Sequence, residues 1–277
     1  MGFRIATNVQ SLAAQRNLTI THETQNRSLE KLAAGERIVR AGDDAAGLAI
    51  SEKLKAEIRS MRQANRNAND GISMIQTAEG GLNEIQNILI RLRELSMQAA
   101  SDTIGDTERM FTDKEVQNLV QEVDRIANVT RFNSTNLLNG EGGALDFQIG
   151  TKNNPELDRL VYDSTRQNVR AESIGLAGLT VLSKLSAQEN LGTLDAAISK
   201  VSENRSDLGA LQNRLASTIN NLMIADENLS AANSRVRDVD VAWEASELTK
   251  KNILAQAGTS MLAQANGNNM LALKLLG

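Results

Sequence analysis

The chain has 277 residues, of which 41% are hydrophobic, 2% aromatic and 23% charged, with a net charge of −4, one proline, one histidine and no cysteine. An acidic balance without a basic stripe argues against a nucleic-acid binder, the missing cysteines exclude disulfides and cysteine-based metal sites, and no run of about 18 apolar residues is present to cross a membrane. So few rings make a conventional globular core a poor fit, while Pro155, the single proline, leaves long helices uninterrupted on either side.

The opening stretch Met1-Gly-Phe-Arg-Ile-Ala-Thr-Asn lacks the apolar core of a secretory signal, so export would have to read something else. Residues of roughly 5–35 read as an amphipathic helix with Ile5, Val9, Leu12, Leu29 and Leu32 at its apolar positions and a more polar middle from Arg16 to Gln25. Ala34 to Asp44 breaks the pattern: two glycines and an Asp pair suit a turn or extended connector, with Asp43 or Asp44 able to cap the next helix. A long helix follows from about 45 to 100. In it Leu54, Met61, Ala68, Ile75, Leu82 and Leu89 recur every seven residues, which keeps one narrow seam facing a partner helix. Gly80-Gly81 weakens this helix by about 1 kcal/mol per glycine, yet the repeat runs on through it.

Ser101 to Gly105 is a break, and a third helix runs to about Val129 with Val116, Leu119, Val123 and Ile126 on one face. From Arg131 to about Ser186 the composition turns to Asn, Gly and Thr. Leu145, Phe147 and Ile149 alternate with polar residues, as do Leu160 and Tyr162 after the turn-like Lys152-Asn153-Asn154-Pro155, which argues for a β-hairpin. Gly140-Glu141-Gly142-Gly143 lacks the Lys-Ser/Thr of a phosphate loop and reads as a hairpin turn. A fourth helix, about 188–236, carries Leu194, Val201, Leu208, Leu215, Leu222, Leu229 and Val236 at strict spacing of seven. A helical tail from about Val241 is rich in aliphatic residues, among them Ile253, Leu254, Met261, Leu262, Leu271 and Leu275.

Two long heptad runs separated by a non-helical middle imply a mainly α protein. The expected architecture is an elongated antiparallel coiled-coil or helical-bundle rod with one small β-hairpin region, both termini forming a second paired-helix domain. The expected divisions are 1–44, an N-terminal helix and connector; 45–186, two helices and the hairpin region; 187–236, the returning long helix; and 237–277, the C-terminal helix. Terminal helices are marginal alone in water, so the two ends pack on each other within one molecule or on copies of the chain. Apolar stripes left exposed there would drive polymerisation. Little chemistry is on offer. His22 reads as an exposed helix position, with no second His or Cys beside it; Asp43-Asp44 reads as a capping pair rather than a cation site; and Asn-x-Ser/Thr triplets such as Asn26-Arg27-Ser28 and Asn128-Val129-Thr130 arise from composition. No catalytic, cofactor or metal site is expected.

The stretch Leu32-Ala-Ala-Gly-Glu-Arg-Ile-Val-Arg-Ala-Gly-Asp-Asp-Ala-Ala-Gly-Leu-Ala-Ile-Ser-Glu-Lys-Leu resembles the N-terminal signature of bacterial flagellins. Asn69-Asp-Gly-Ile-Ser-Met-Ile-Gln-Thr-Ala-Glu-Gly-Gly-Leu and Arg91-Leu-Arg-Glu-Leu-Ser-Met-Gln-Ala-Ala do so too. Glu227-Asn-Leu-Ser-Ala-Ala-Asn-Ser-Arg-Val-Arg-Asp-Val-Asp and Ile253-Leu-Ala-Gln-Ala-Gly-Thr-Ser-Met-Leu-Ala-Gln-Ala-Asn resemble the C-terminal signature. The family's common Ser-Ser-Gly-x-Arg-Ile-Asn reads Ala33-Ala34-Gly35-Glu36-Arg37-Ile38-Val39 here.

The resemblance implies a structural subunit that polymerises into an extracellular flagellar filament for swimming. The end helices would form an inner domain, D0, ordered on assembly. The long helices and hairpin would form D1, with no surface domain inserted. It further implies type III export without a cleaved signal, an export chaperone on the helix at about 241–277, and contacts with hook-associated and cap proteins. Polymer contacts would use Ile5, Val9, Leu12, Ile253, Leu254, Met261, Leu262, Leu271 and Leu275. Many flagellins are recognised by a host Toll-like receptor through an Arg and a Leu on the long helix and a Glu on the next one; the matching positions are Arg91, Leu95 and Glu115. Read on their own, Arg91 is a solvated position, Leu95 is core or subunit contact, and Glu115 completes a capping box with Thr112. The nearest alternative is a hook–filament junction protein, which shares the end-helix plan.

Overall fold

The computed structural model describes residues 7–274, with side chains described over 7–267. The elements are α1 (Val9–Ala34), α2 (Ala45–Ala99), α3 (Asp106–Val129), β1 (Arg131–Phe132), β2 (Thr135–Asn136), β3 (Ala144–Gln148), α4 (Pro155–Asp158), β4 (Arg159–Asp163), α5 (Lys184–Arg237) and α6 (Val241–Lys274). The protein is mainly helical with two small antiparallel strand pairs among the described residues. It divides into two compact units, one drawn from both ends of the chain (Met1–Ala56 with Asn228–Gly277) and one spanning Glu57–Glu227.

Helix boundaries follow from local chemistry. Asn8 caps α1, its side chain accepting from Ser11 N at 3.0 Å, and Gly35 ends the helix in the left-handed region at φ +69°. Asp44 caps α2, accepting from Gly47 N at 2.8 Å. The far end of α2 is closed by Arg109, whose guanidinium donates to the carbonyls of Ala99 at 3.0 Å and Ser101 at 3.1 Å. That places a cation on carbonyls that have no intrahelical partner. Glu108 accepts from Gly105 N at 2.6 Å and so starts α3. This corrects the expected Thr112–Glu115 capping box: α3 has already begun at Asp106, and the Thr112 hydroxyl bonds back to the Glu108 carbonyl inside the helix.

In the Glu57–Glu227 unit α2 and α5 run antiparallel, pinned by Arg62–Asp226 at 2.9 Å and Arg93–Asp195 at 2.7 Å. Their heptad residues form the core: Ala68, Ile75, Leu82 and Leu89 from α2, and Leu194, Val201, Leu208 and Leu215 from α5, are all buried. Val116 and Val123 of α3 join them. Met61 and Leu222, farther along the same repeat, are only half-buried, as are Leu54 and Leu229 in the other unit.

The hairpin pairs β3 with β4 in the register Ala144↔Asp163 to Gln148↔Arg159. Its turn, residues 149–158, contains the short α4, started by Asn154 and Pro155. The expectation that Gly140–Gly143 turns this hairpin is therefore corrected: those residues link β2 to β3, which belong to different sheets. Asn139 organises that link by accepting from Glu141 N at 3.0 Å. The two-residue hairpin β1–β2 was not foreseen; it turns through Asn133 and Ser134 at φ +44° and +68°. Tyr162 is buried and donates to the Leu137 carbonyl at 2.7 Å.

The Gly80-Gly81 pair is two unlike sites. A Cβ on Gly81 would lie 2.7 Å from Thr130 Oγ1 and 2.8 Å from Leu138 Cδ1, whereas one on Gly80 meets nothing within 4 Å. Gly81 therefore lets the chain leaving α3 pass close over α2. We expect Gly80→Ala to stabilise the protein by about 0.5–1 kcal/mol and Gly81→Ala to destabilise it by about 1–3 kcal/mol, read by denaturant melts; equal effects at both sites would refute this account.

Candidate assembly interface

The end helices α1 and α6 pair within one molecule, and four hydrogen bonds cross their seam, with Leu18 packed close to Gly258 as an apolar contact. Asn8 Nδ2 donates to the Ala265 carbonyl at 2.9 Å, Ser11 Oγ to Asn266 Oδ1 at 2.8 Å, Gln25 Nε2 to Asn252 Oδ1 at 2.6 Å and Lys251 Nζ to Ser28 Oγ at 2.6 Å. Among the described side chains of these two helices only Ser11, Ser28, Glu244 and Ala255 are buried. Ala255 is the single apolar one.

Several large apolar residues face water, while Leu18, Leu32 and Leu248 are half-buried. Val9 is 63% exposed, Leu12 57%, Ile253 61%, Leu254 51% and Met261 65%. These five were singled out as polymer contacts, and the fold leaves each uncovered. Leu262 is half-buried. Ile5 and Leu275 lie outside the described residues, and Leu271 lies in α6 with its side chain outside them. Trp243, the sole tryptophan, is 61% exposed and was missed. So were Ser11, Ser28, Lys251 and Asn266; small hydroxyls and amides among many others carry no periodic signal that marks them as a seam.

At the base of the pair the two connectors are joined backbone to backbone. Arg37 N donates to the Arg237 carbonyl at 2.6 Å and Val239 N to the Gly35 carbonyl at 3.1 Å. Arg237 lies 2.9 Å from Glu36 and also pairs with Glu52, and these carboxylates, Glu52 first, hold its guanidinium above the usual arginine range. Asp240 accepts from Trp243 N at 3.1 Å and starts α6.

Arg91 and Glu115 meet on an exposed surface at 2.9 Å, with Glu94 on the other side of Arg91 at 3.1 Å. Leu95, grouped with them by the resemblance, is 2% exposed and belongs to the core. Among the described residues no group of three His, Cys, Asp or Glu could hold a metal ion, and His22 is exposed.

Asp43 shapes the connector turn by accepting from Arg40 N at 3.0 Å and Val39 N at 3.2 Å. The Arg40 amide is the main cause holding its carboxyl below the ordinary value of 3.8. A carboxyl lowered in the folded state stabilises fully above the ordinary value and loses that contribution as pH falls through the lower one. Asp43→Asn should therefore lower the melting temperature slightly at neutral pH, and the gap from the parent chain should narrow as pH falls below the ordinary value of 3.8; a gap that stays the same there would show that charge is not the cause.

The comparisons with known proteins cover nearly the whole chain. The bacterial flagellin N-terminal helical region matches residues 5–142 and the C-terminal helical region residues 191–276. The chain is 46% identical to a flagellin of Halalkalibacterium halodurans over 97% of its length and 98% of that protein's. It is 44% identical to a flagellar filament core protein of Brachyspira hyodysenteriae over 98% and 99% respectively. A crystal structure of Bacillus cereus flagellin is similar at 30% identity and a TM-score of 0.51, covering 57% of this chain and 88% of that one.

Proposed function

The chain belongs to the bacterial flagellin family, and we propose that it joins copies of itself by burying the apolar residues that α1 and α6 leave exposed. It is a subunit of the flagellar filament, outside the cell, without an inserted surface domain, and the family is a structural one. No catalytic step enters this reading.

The observation that carries the mechanism is the end-helix pair: hydrogen bonds cross its seam, while Val9, Leu12, Ile253, Leu254 and Met261 stand in water. Each large side chain covered by a neighbouring copy would contribute roughly 1.5–3 kcal/mol, against the conformational entropy of ordering the ends. We assign residues 1–44 and 237–277 to D0, and 45–186 and 187–236 to D1; a compact unit drawn from both chain ends supports the pairing of the ends, though that unit extends to Ala56 and begins again at Asn228. The subunit is exported unfolded through the type III apparatus. Before export a chaperone shields the segment of α6, whose exposed Trp243, Ile253, Leu254 and Met261 need cover before assembly. Hook-associated and cap proteins meet the same end helices. The Arg91–Glu115 surface is the part of D1 offered to a host Toll-like receptor. The hook-junction alternative gains no support from relatives named flagellin or filament core protein.

Ammonium sulfate added to purified protein should raise helix content by circular dichroism and give filaments by negative-stain microscopy. Ile253→Asp and Met261→Asp should each raise the concentration needed to polymerise by roughly 10- to 100-fold. Deleting residues 241–277 should leave a soluble, partly folded monomer; filaments from that truncation would overturn the mechanism.

A further inference from the structure

Hydrogen bonds and apolar contacts constrain a helix pair differently. Apolar burial is non-directional, so an aliphatic helix that slides by one turn finds new apolar neighbours; α6 offers Ile253, Leu254, Met261 and Leu262 in quick succession. A hydrogen bond is lost within an ångström or so of misplacement. On α1 the side chains most fully withdrawn from water are hydrogen-bonding ones: Ser28 is 1% exposed and bonded to Lys251, and Ser11 is 8% exposed and bonded to Asn266. The two bonds are about five turns apart along α1, so a one-turn slide of α6 parts both together. Buried polar residues in paired helices are known to fix register at some loss of stability.

We propose that Ser11, Ser28, Lys251 and Asn266 form a polar key that sets the register of α1 on α6. The key frees Val9, Leu12, Ile253, Leu254 and Met261 for neighbouring copies, because register no longer depends on them. It also makes every copy present the same apolar pattern, which repetition of one interface along a polymer requires. The register statement stands on the seam alone; its consequence for neighbouring copies rests on the filament reading above.

The chain has no cysteine, so introduced pairs report without interference. Leu18→Cys with Gly258→Cys reads the observed register, since Leu18 Cδ1 lies 3.1 Å from the position of a Cβ on Gly258. Leu18→Cys with Leu262→Cys reads α6 displaced by one turn. The full chain is oxidised in solution and in ammonium sulfate, and denaturing gels separate links within one chain from links between chains. The parent background should favour L18C/G258C over L18C/L262C by roughly tenfold. S11A/S28A/K251M/N266A should bring that ratio close to one with helix content retained, while S28T/K251R keeps the preference. Should the fourfold variant lose helix, S28A/K251M alone should lower the ratio roughly threefold. A preference undiminished in either variant, or absent from the parent chain, overturns the key. Microscopy of the same samples reads assembly separately: a parent chain that keeps its preference but forms no filaments overturns the filament reading and leaves the key standing.

Discussion

In the Glu57–Glu227 unit everything depends on α2 and α5 presenting the same face to each other for many turns. A straight α-helix drifts away from a seven-residue repeat, so the seam is maintained by supplying an apolar residue at each recurrence: Ile75, Leu82 and Leu89 on one helix, Leu194, Val201, Leu208 and Leu215 on the other. The ion pairs Arg62–Asp226 and Arg93–Asp195 flank that seam. Both are substantially exposed and add little energy by themselves; their value lies in opposing a slide that apolar packing would tolerate. With the seam fixed, α3 and the hairpin region have a surface to close. Gly71 shows how closely: a Cβ there would lie 3.2 Å from Phe147 of β3 and 3.3 Å from Leu215 of α5.

Much of this plan was legible in residue spacing. A repeat of seven is a one-dimensional signal, and it located both long helices; a repeat of two located the strands at Leu145 and Tyr162. Caps are equally local, which is why the Asp43-Asp44 connector was readable. Residues 164–183 were not, because their conformation is written on another element. Ala171 N is held by Asp124 at 2.7 Å, Val181 N by Asp113 at 2.8 Å and the Leu179 carbonyl by Gln117 at 2.7 Å. Three polar side chains of α3, which look like a solvated helix face, serve as pegs for an irregular segment with no ladder of its own. The Gly140–Gly143 misreading has the same origin, since glycine marks a turn without saying which strands the turn joins.

The end-helix pair was legible in one respect and hidden in another. Its aliphatic content announced that something must cover it, and Val9, Leu12, Ile253, Leu254 and Met261 could be named. Which face meets the partner helix could not be inferred, because apolar periodicity assigns the apolar stripe to the nearest contact. Here that assignment is inverted. Among the described residues Ser11 and Ser28 are the buried side chains of α1, and Val9, Leu12, Ile20 and Leu29 are left exposed.

That inversion has an energetic logic. A helix pair that buried its aliphatic residues internally would be stable alone and would have little left to gain from a neighbour. A pair joined by a few hydrogen bonds is weak, since each bond contributes only about 0.5–1.5 kcal/mol net and the entropy of ordering two helices opposes it. Its apolar area remains unspent until another copy arrives. In the proposed assembly, weak internal pairing and strong external burial would favour the same outcome, in which the ends of the chain gain most of their stability on contact between copies. The Glu57–Glu227 unit follows the opposite rule, with its aliphatic core residues buried within one molecule. A single sequence carries both rules because the heptad seam of α2 and α5 is satisfied internally, while the stripes of α1 and α6 are not.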